Sequence, residues 1–239
     1  MNAYYLEKEP VVVATKYPKL VTAMHQIEIT SRCNLVCRYC PSPKLKRPKV
    51  DMDLATYKRA LEWATFYVSR GTMQELNLAG IGESTMHPDF VEYVRLARDA
   101  VGSHTRIVLA TNGLLVTDEM AEAVQVYNPR FYVSLHRPEK AGPAIEILKR
   151  YGLIDGVSGD PSYAAIEWAG QVEWFTSAAQ GQTCDWMLNG WMMAMADGRL
   201  TTCCLDASGV GVIGHVDDPI GKAEIKPYEL CQKCHLVVP

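Results

Sequence analysis

The chain has 239 residues, of which 48% are hydrophobic and 21% charged, an ordinary composition for a globular protein with one sizeable core. A formal net charge of -3 supplies no basic field for nucleic-acid phosphates, and no apolar run is long enough to cross a bilayer, so neither nucleic acid nor membrane is expected as a partner. The opening MNAYYLEKEP carries acidic residues and no apolar segment of the secretory kind, which predicts a cytoplasmic protein without disulfides.

In chain order, Met24 to Thr30 reads as a first strand. Behind Asp53, an N-cap residue, Leu54, Tyr57, Leu61, Ala64 and Val68 recur at helical spacing. Gln74 to Ala79 is a second strand, and His87-Pro88 opens a helix whose Phe90, Val94, Ala97 and Val101 share one face. Arg106 to Ala110 and Arg130 to Leu135 are further strands, with Thr117 capping the helix between them. A helix is expected near Pro143 to Tyr151, then strands at Tyr163 to Trp168 and Gln171 to Phe175. Asp197-Gly198 joins Trp191 to Ala196 and Arg199 to Leu205 as a tight hairpin. Alternating βα units specify an α/β fold on a parallel sheet, and the change of style places a boundary near residue 180, dividing 1–180 from 181–239.

The eight cysteines fall in two groups, Cys33, Cys37 and Cys40, then Cys184, Cys203, Cys204, Cys231 and Cys234. In a reducing compartment such segregation points to metal binding. The first group lies just past the first strand, on the face where βα barrels place their active sites. Three thiolates on a compact loop suit a [4Fe-4S] cluster with one iron left open, or a zinc ion with a distant fourth ligand. The second group, Cys184, Cys203, Cys231 and Cys234, offers a closed set of four, for a structural zinc or a fully ligated cluster. Cys204 is left over. On a strand its side chain would point opposite to that of Cys203, as a small buried thiol or as a hydrogen-atom donor in catalysis.

Cys33-x3-Cys37-x-Tyr39-Cys40 resembles the motif of the radical S-adenosylmethionine (SAM) superfamily. The resemblance implies a partial (β/α)6 TIM-like barrel in which Cys33, Cys37 and Cys40 hold a [4Fe-4S] cluster whose open iron binds SAM, with Tyr39 beside the adenine. Ala79-Gly80-Ile81-Gly82-Glu83 is similar to the superfamily's G-G-E segment, with Gly80 or Gly82 contacting the SAM amino group and Glu83 balancing its charge. Thr111-Asn112-Gly113 resembles its T-N-G turn, and Ser134 and His136 stand where ribose contacts are found. In the C-terminal part, Cys184, Gly198-x4-Cys203, Gly214 to Val216 and Cys231-x2-Cys234 resemble the twitch domain, a shortened SPASM-like domain of hairpin and helix that holds an auxiliary [4Fe-4S] cluster. The layout resembles that of 2-deoxy-scyllo-inosamine dehydrogenases.

These implications describe an oxidoreductase with two [4Fe-4S] clusters and SAM. It would oxidise a small polar molecule, sugar-like or cyclitol-like, and pass an electron to the auxiliary cluster. The alternative is epimerisation or cross-linking of a ribosomally made peptide, and the remote one a non-catalytic zinc protein. His136, Arg137 and Glu139 are candidates for base or substrate anchor. Lys44, Lys46, Arg47 and Lys49 read as a solvated loop that could also meet an acidic electron donor such as flavodoxin or ferredoxin. Met187, Met192, Met193 and Met195, with Trp186 and Trp191, read as apolar shielding of the second cluster.

Overall fold

Local signals start two of the helices where the sequence puts them, whereas the helix expected to open at His87-Pro88 begins at Phe90. Asp53 accepts hydrogen bonds from Ala55 N and Thr56 N and opens α1 (Leu54–Ser69). Thr117 accepts from Met120 N at the start of α3 (Asp118–Gln125). The computed structural model describes residues 17–158, 168–172, 182–234 and 236–237. Within them β1 (Ala23–Ile27), β2 (Glu75–Asn77), β3 (Arg106–Thr111), β4 (Arg130–Ser134) and β5 (Ile154–Ser158) alternate with α1, α2 (Phe90–Val101), α3 and α4 (Pro138–Arg150).

The helix before β5 begins at Pro138, earlier than expected, because Pro138 occupies the first turn, where a missing N–H costs nothing. Pro143 therefore lies inside α4 and does not open it. The strand expected at Tyr163 to Trp168 lies outside the described residues except for Trp168, which opens a 3-10 turn (Trp168–Gly170). Of Gln171 to Phe175, only Gln171 and Val172 are described, and neither is in a strand.

The C-terminal part adds β6 (Gln182–Thr183), α5 (Asp185–Asn189), β7 (Trp191–Ala194), β8 (Arg199–Thr201), β9 (Val212–His215), α6 (Glu229–Lys233) and β10 (Leu236–Val237). The described residues form one open eight-stranded sheet in the order β5-β4-β3-β2-β1-β7-β8-β9. The strands from β5 to β7 are mutually parallel, and β8 and β9 close the edge antiparallel. This is the mostly parallel, unclosed α/β sheet of a partial TIM-like barrel. β6 and β10 make a separate two-stranded pair.

α1 and α2 cover the sheet through Tyr57, Trp63, Tyr93 and Val94, each 2% exposed or less. Tyr57 and Tyr93 stack at 4.2 Å, and their hydroxyls donate to Tyr93 O and Met52 O, so neither phenol is buried unpaired. Trp63 Nε1 donates to Val216 O at 2.9 Å, tying α1 to the segment after β9. With helices on that side, the C-terminal ends of β1 to β4 open onto one rim, where the cysteine loop, the Gly80–Glu83 strip, the Thr111–Gly113 turn and Ser134 to His136 meet.

Candidate functional site

The rim encloses a cavity of about 240 Å³ lined by Cys33, Cys37, Cys40 and Tyr39 on one side and by Gly80, Ile81, Gly82 and Glu83 on another. Ser31 N bonding to Val50 O, and Met52 N to Ile29 O, pinch the cysteine loop at its base. Arg32 reaches the Asp51 carboxylate at 2.7 Å and adds a further tie. Burial pushes the Cys40 thiol up to about 11 and raises that of Cys33. Uncompensated, these sulfurs stay protonated, and thiolate there calls for a strongly cationic centre.

Both glycines line the cavity, and each is required by what lies behind it. A Cβ on Gly82 would strike the carbonyl oxygens of Thr30 and Arg32, and one on Gly80 would strike the Glu28 side chain. Glu83 is 3% exposed. It accepts from Thr111 Oγ1 (2.8 Å), Asn112 N (2.7 Å) and Thr85 Oγ1 (2.7 Å), so its charge is shared with the turn after β3. Asn112 in turn donates from Nδ2 to Asn34 Oδ1 at 2.7 Å, fastening that turn to the cysteine loop. Gly113, at φ 77°, makes the turn possible.

Ser134 and His136 line the far wall. The Tyr39 hydroxyl meets His136 Nδ1 across the mouth. His136 keeps part of its ring exposed, and the shielded part holds its pKa below the ordinary imidazole value. Arg137 and Glu139 are exposed at the start of α4 and do not line the cavity.

A second cavity is bordered by Cys184, Cys203, Cys204, Cys231 and Cys234. β8 ends at Thr201, so Cys203 and Cys204 sit in the following turn, not on a strand. The expected alternation therefore does not apply, and both residues border the same cavity. Cys204 does not line the first cavity, which removes the geometric support for a hydrogen-atom donor there.

Trp186 and Met187 shield the second cavity as expected. Met192, Met193 and Met195 are instead buried residues that do not border it, and Trp191 stacks on His25 at 4.1 Å. Thr202 Oγ1, buried and without a hydrogen-bond partner, lies on this wall, and the Tyr228 hydroxyl sits beside Cys203. Among the described residues no three Cys, His, Asp or Glu side chains converge tightly enough to hold a single metal ion.

The sequence profile of the radical SAM superfamily matches residues 27–176, more than half of the chain. The chain belongs to the radical SAM superfamily. A tungsten-containing aldehyde ferredoxin oxidoreductase cofactor-modifying protein of Pyrococcus furiosus is 36% identical over 97 residues, which are 39% of this chain and 25% of that protein. The PqqA peptide cyclase of Ruegeria pomeroyi is 35% identical over 99 residues, 41% and 24% of the two chains. The chain thus spans about a quarter of the length of these relatives. Among solved structures, BtrN in complex with AdoMet and 2-DOIA is similar with a TM-score of 0.68, at 17% identity, over 83% of this chain and 80% of that one. At that identity the likeness is one of fold.

Membership in the radical SAM superfamily implies SAM and one [4Fe-4S] cluster. The residues present fit both. Three thiols on one loop leave one iron of a cubane without a protein ligand, and the glycine strip opposite allows backbone to approach a ligand closely.

Sequence reasoning missed two features of this site. Arg47, expected in a solvated loop, is 6% exposed and forms a buried ion pair at 2.7 Å with Glu28, itself 0% exposed, while Lys44, Lys46 and Lys49 are exposed. The Glu28 carboxylate also accepts from Ile81 N (2.9 Å) in the Gly80–Glu83 strip and Ala196 N (3.0 Å) in the C-terminal hairpin. A lone acid between two isoleucines, Ile27-Glu28-Ile29, was the available signal. The second is the turn at Trp168–Gly170, where Trp168 lines the first cavity and Ala169 the second.

Proposed function

We propose that this radical SAM enzyme oxidises a carbon centre of a small polar substrate, of the sugar or cyclitol kind, and that residues 181–239 supply an auxiliary [4Fe-4S] cluster that accepts the electron released. Cys184, Cys203, Cys231 and Cys234 are its ligands. The observation that carries this reading is the shared wall, in which adjacent residues Trp168 and Ala169 face the two cavities. Both hold left-handed backbone, at φ 51° and 52°, a conformation costing about 1–3 kcal/mol per non-glycine residue and found where function holds it in place. Gln171 Nε2 secures the turn to Trp168 O (2.7 Å) and Leu205 O (2.6 Å), so the wall is fixed to the turn that carries Cys203. Thiols spread around a cavity, with the unpartnered Thr202 hydroxyl available to cluster sulfur, favour iron-sulfur over a zinc grip on a single point.

Cys33, Cys37 and Cys40 would hold the cluster whose open iron binds SAM, and the pair would supply the abstraction of a hydrogen atom from a substrate carbon. Gly80 or Gly82, with Glu83, would hold the SAM amino group, Tyr39 would meet the adenine, and Asn112 and Ser134 would border the ribose, since all of them line the first cavity. His136 takes the substrate proton. With Nδ1–H donated to the Tyr39 oxygen, its Nε2 is left as acceptor, and partial burial keeps the ring neutral. Because the shift is downward, the base stays competent as pH falls through the ordinary value of about 6.5 and is lost only below it. His136→Asn should remove that acid limb and lower turnover about 10²-fold or more. A limb that survives the substitution would exclude His136 as the base. Lys44, Lys46 and Lys49, exposed beside the loop, suit an acidic donor such as flavodoxin or ferredoxin in a reducing cytoplasm.

The test is stoichiometry with deuterated polyols and aminocyclitols. Deuterium should appear in 5′-deoxyadenosine, with one two-electron oxidation of substrate for each SAM cleaved. SAM cleavage without such oxidation refutes the proposal. The second reading, peptide modification, is favoured by the likeness to PqqA peptide cyclase. Tight binding of a precursor peptide with none of polyols would reverse the order.

A further inference from the structure

The second cavity has one thiol more than a four-iron cluster has corners to ligate. The geometry points to Cys203 and Cys204 as alternative ligands to the same iron of the auxiliary cluster, an inference that rests on the cluster proposed above. Five cysteines border the cavity, where the closed set needs four.

The turn that carries the pair is held at several points. Asp206, 1% exposed, accepts from Thr201 Oγ1 (3.1 Å), Val210 N (2.8 Å) and Gly211 N (2.8 Å). Its own N–H bonds to Cys203 O at 3.2 Å. Arg47 Nε donates to Ala207 O at 2.6 Å, and Gln171 Nε2 to Leu205 O at 2.6 Å. A backbone clamped in this way cannot swing either cysteine away, so exchange between them requires side-chain rotation alone. In the exchange the iron–sulfur bond to Cys203 breaks as the bond to Cys204 forms, and the proton of the Cys204 thiol passes to the released Cys203 thiolate. No electron moves and the charge of the site is unchanged, so no oxidant or reductant is needed. The consequence is a site that retains its fourth iron when one ligand is lost.

The experiment uses the full chain, reconstituted anaerobically, with alanine substitutions, which remove the thiol and offer no oxygen ligand in its place. Calorimetric SAM binding on the same samples reports an intact core in each variant. Cys203→Ala and Cys204→Ala should each retain about eight irons per chain, with the reduced auxiliary signal altered in electron paramagnetic resonance but still that of a four-iron cluster. The double variant should lose one iron and show a three-iron signal on oxidation. The inference is overturned if either single substitution alone produces the three-iron cluster while the other leaves the signal unchanged, since one cysteine is then the sole ligand. Failure of the underlying reading is distinct, because the unsubstituted chain would then hold about four irons or carry zinc at the second site.

Discussion

Glu28 and Arg47 show how one buried pair reaches several parts of the molecule. Placing a carboxylate and a guanidinium in a core is costly unless hydrogen bonds surround them. Here the carboxylate gathers Arg47, Ile81 N and Ala196 N, while Arg47 Nη1 finds no partner. Removing one partner leaves the other charged and buried, so Arg47→Met should destabilise the iron-free chain by about 3–5 kcal/mol in urea unfolding, and Glu28→Leu combined with Arg47→Met should cost less than the single change. A double variant whose loss equals the sum of the two single losses would show that the charges are not coupled. This pair was not legible in the sequence, because its partners lie 19 residues apart and Arg47 sits among lysines that do face solvent. The gathering of Cys33, Cys37 and Cys40 on one cavity wall was legible, because spacing within a loop is a local property that tertiary packing does not rewrite.

The strip after β2 behaves as a unit in which two glycines let the chain lie directly on the end of β1. The contacts behind them differ. Gly80 rests on the Glu28 side chain, whereas Gly82 rests on the backbone of Thr30, Ser31 and Arg32, which has no rotamer to yield. Gly82→Ala should therefore lower SAM affinity more than Gly80→Ala, by about tenfold or more, measured by calorimetry and consistent with an overpacking strain of about 1–3 kcal/mol. Equal losses would contradict the backbone contact. Elements were read with uneven success for physical reasons. Caps at Asp53 and Thr117 announce themselves, since a short polar side chain satisfies amides two or three residues away. β8 was expected to run to Leu205, as Thr201-Thr202-Cys203-Cys204-Leu205 has strand character, but Asp206 draws the amides of Val210 and Gly211 to itself and the ladder stops at Thr201.

Across the molecule, the hairpin of β7 and β8 was legible and its berth was not, since strand pairing between distant segments depends on faces that periodicity does not label. It lies parallel to β1 from Ala23–Trp191 to Ile27–Ala194, with Met192, Ala194, Leu200 and Val216 in the main core. α6, in contrast, packs mainly on the Trp168–Gly170 turn and supplies Cys231 to the second cavity. Stripping iron with a chelator should leave amides of β7 to β9 protected in hydrogen exchange and release those of α6. Loss of protection in both at the same rate would place the hairpin under control of the metal.

The berth on β1 also bears on any attempt to dissect the chain near residue 180. The fragment ending there would present β1 as a bare margin, with the Glu28 amide deprived of Ala194 O and the Glu28 carboxylate of Ala196 N. Such a row of unanswered peptide groups beside apolar Met24 and Ile27 is adhesive toward its own kind, so the isolated N-terminal piece should stack into aggregates before it could display any chemistry.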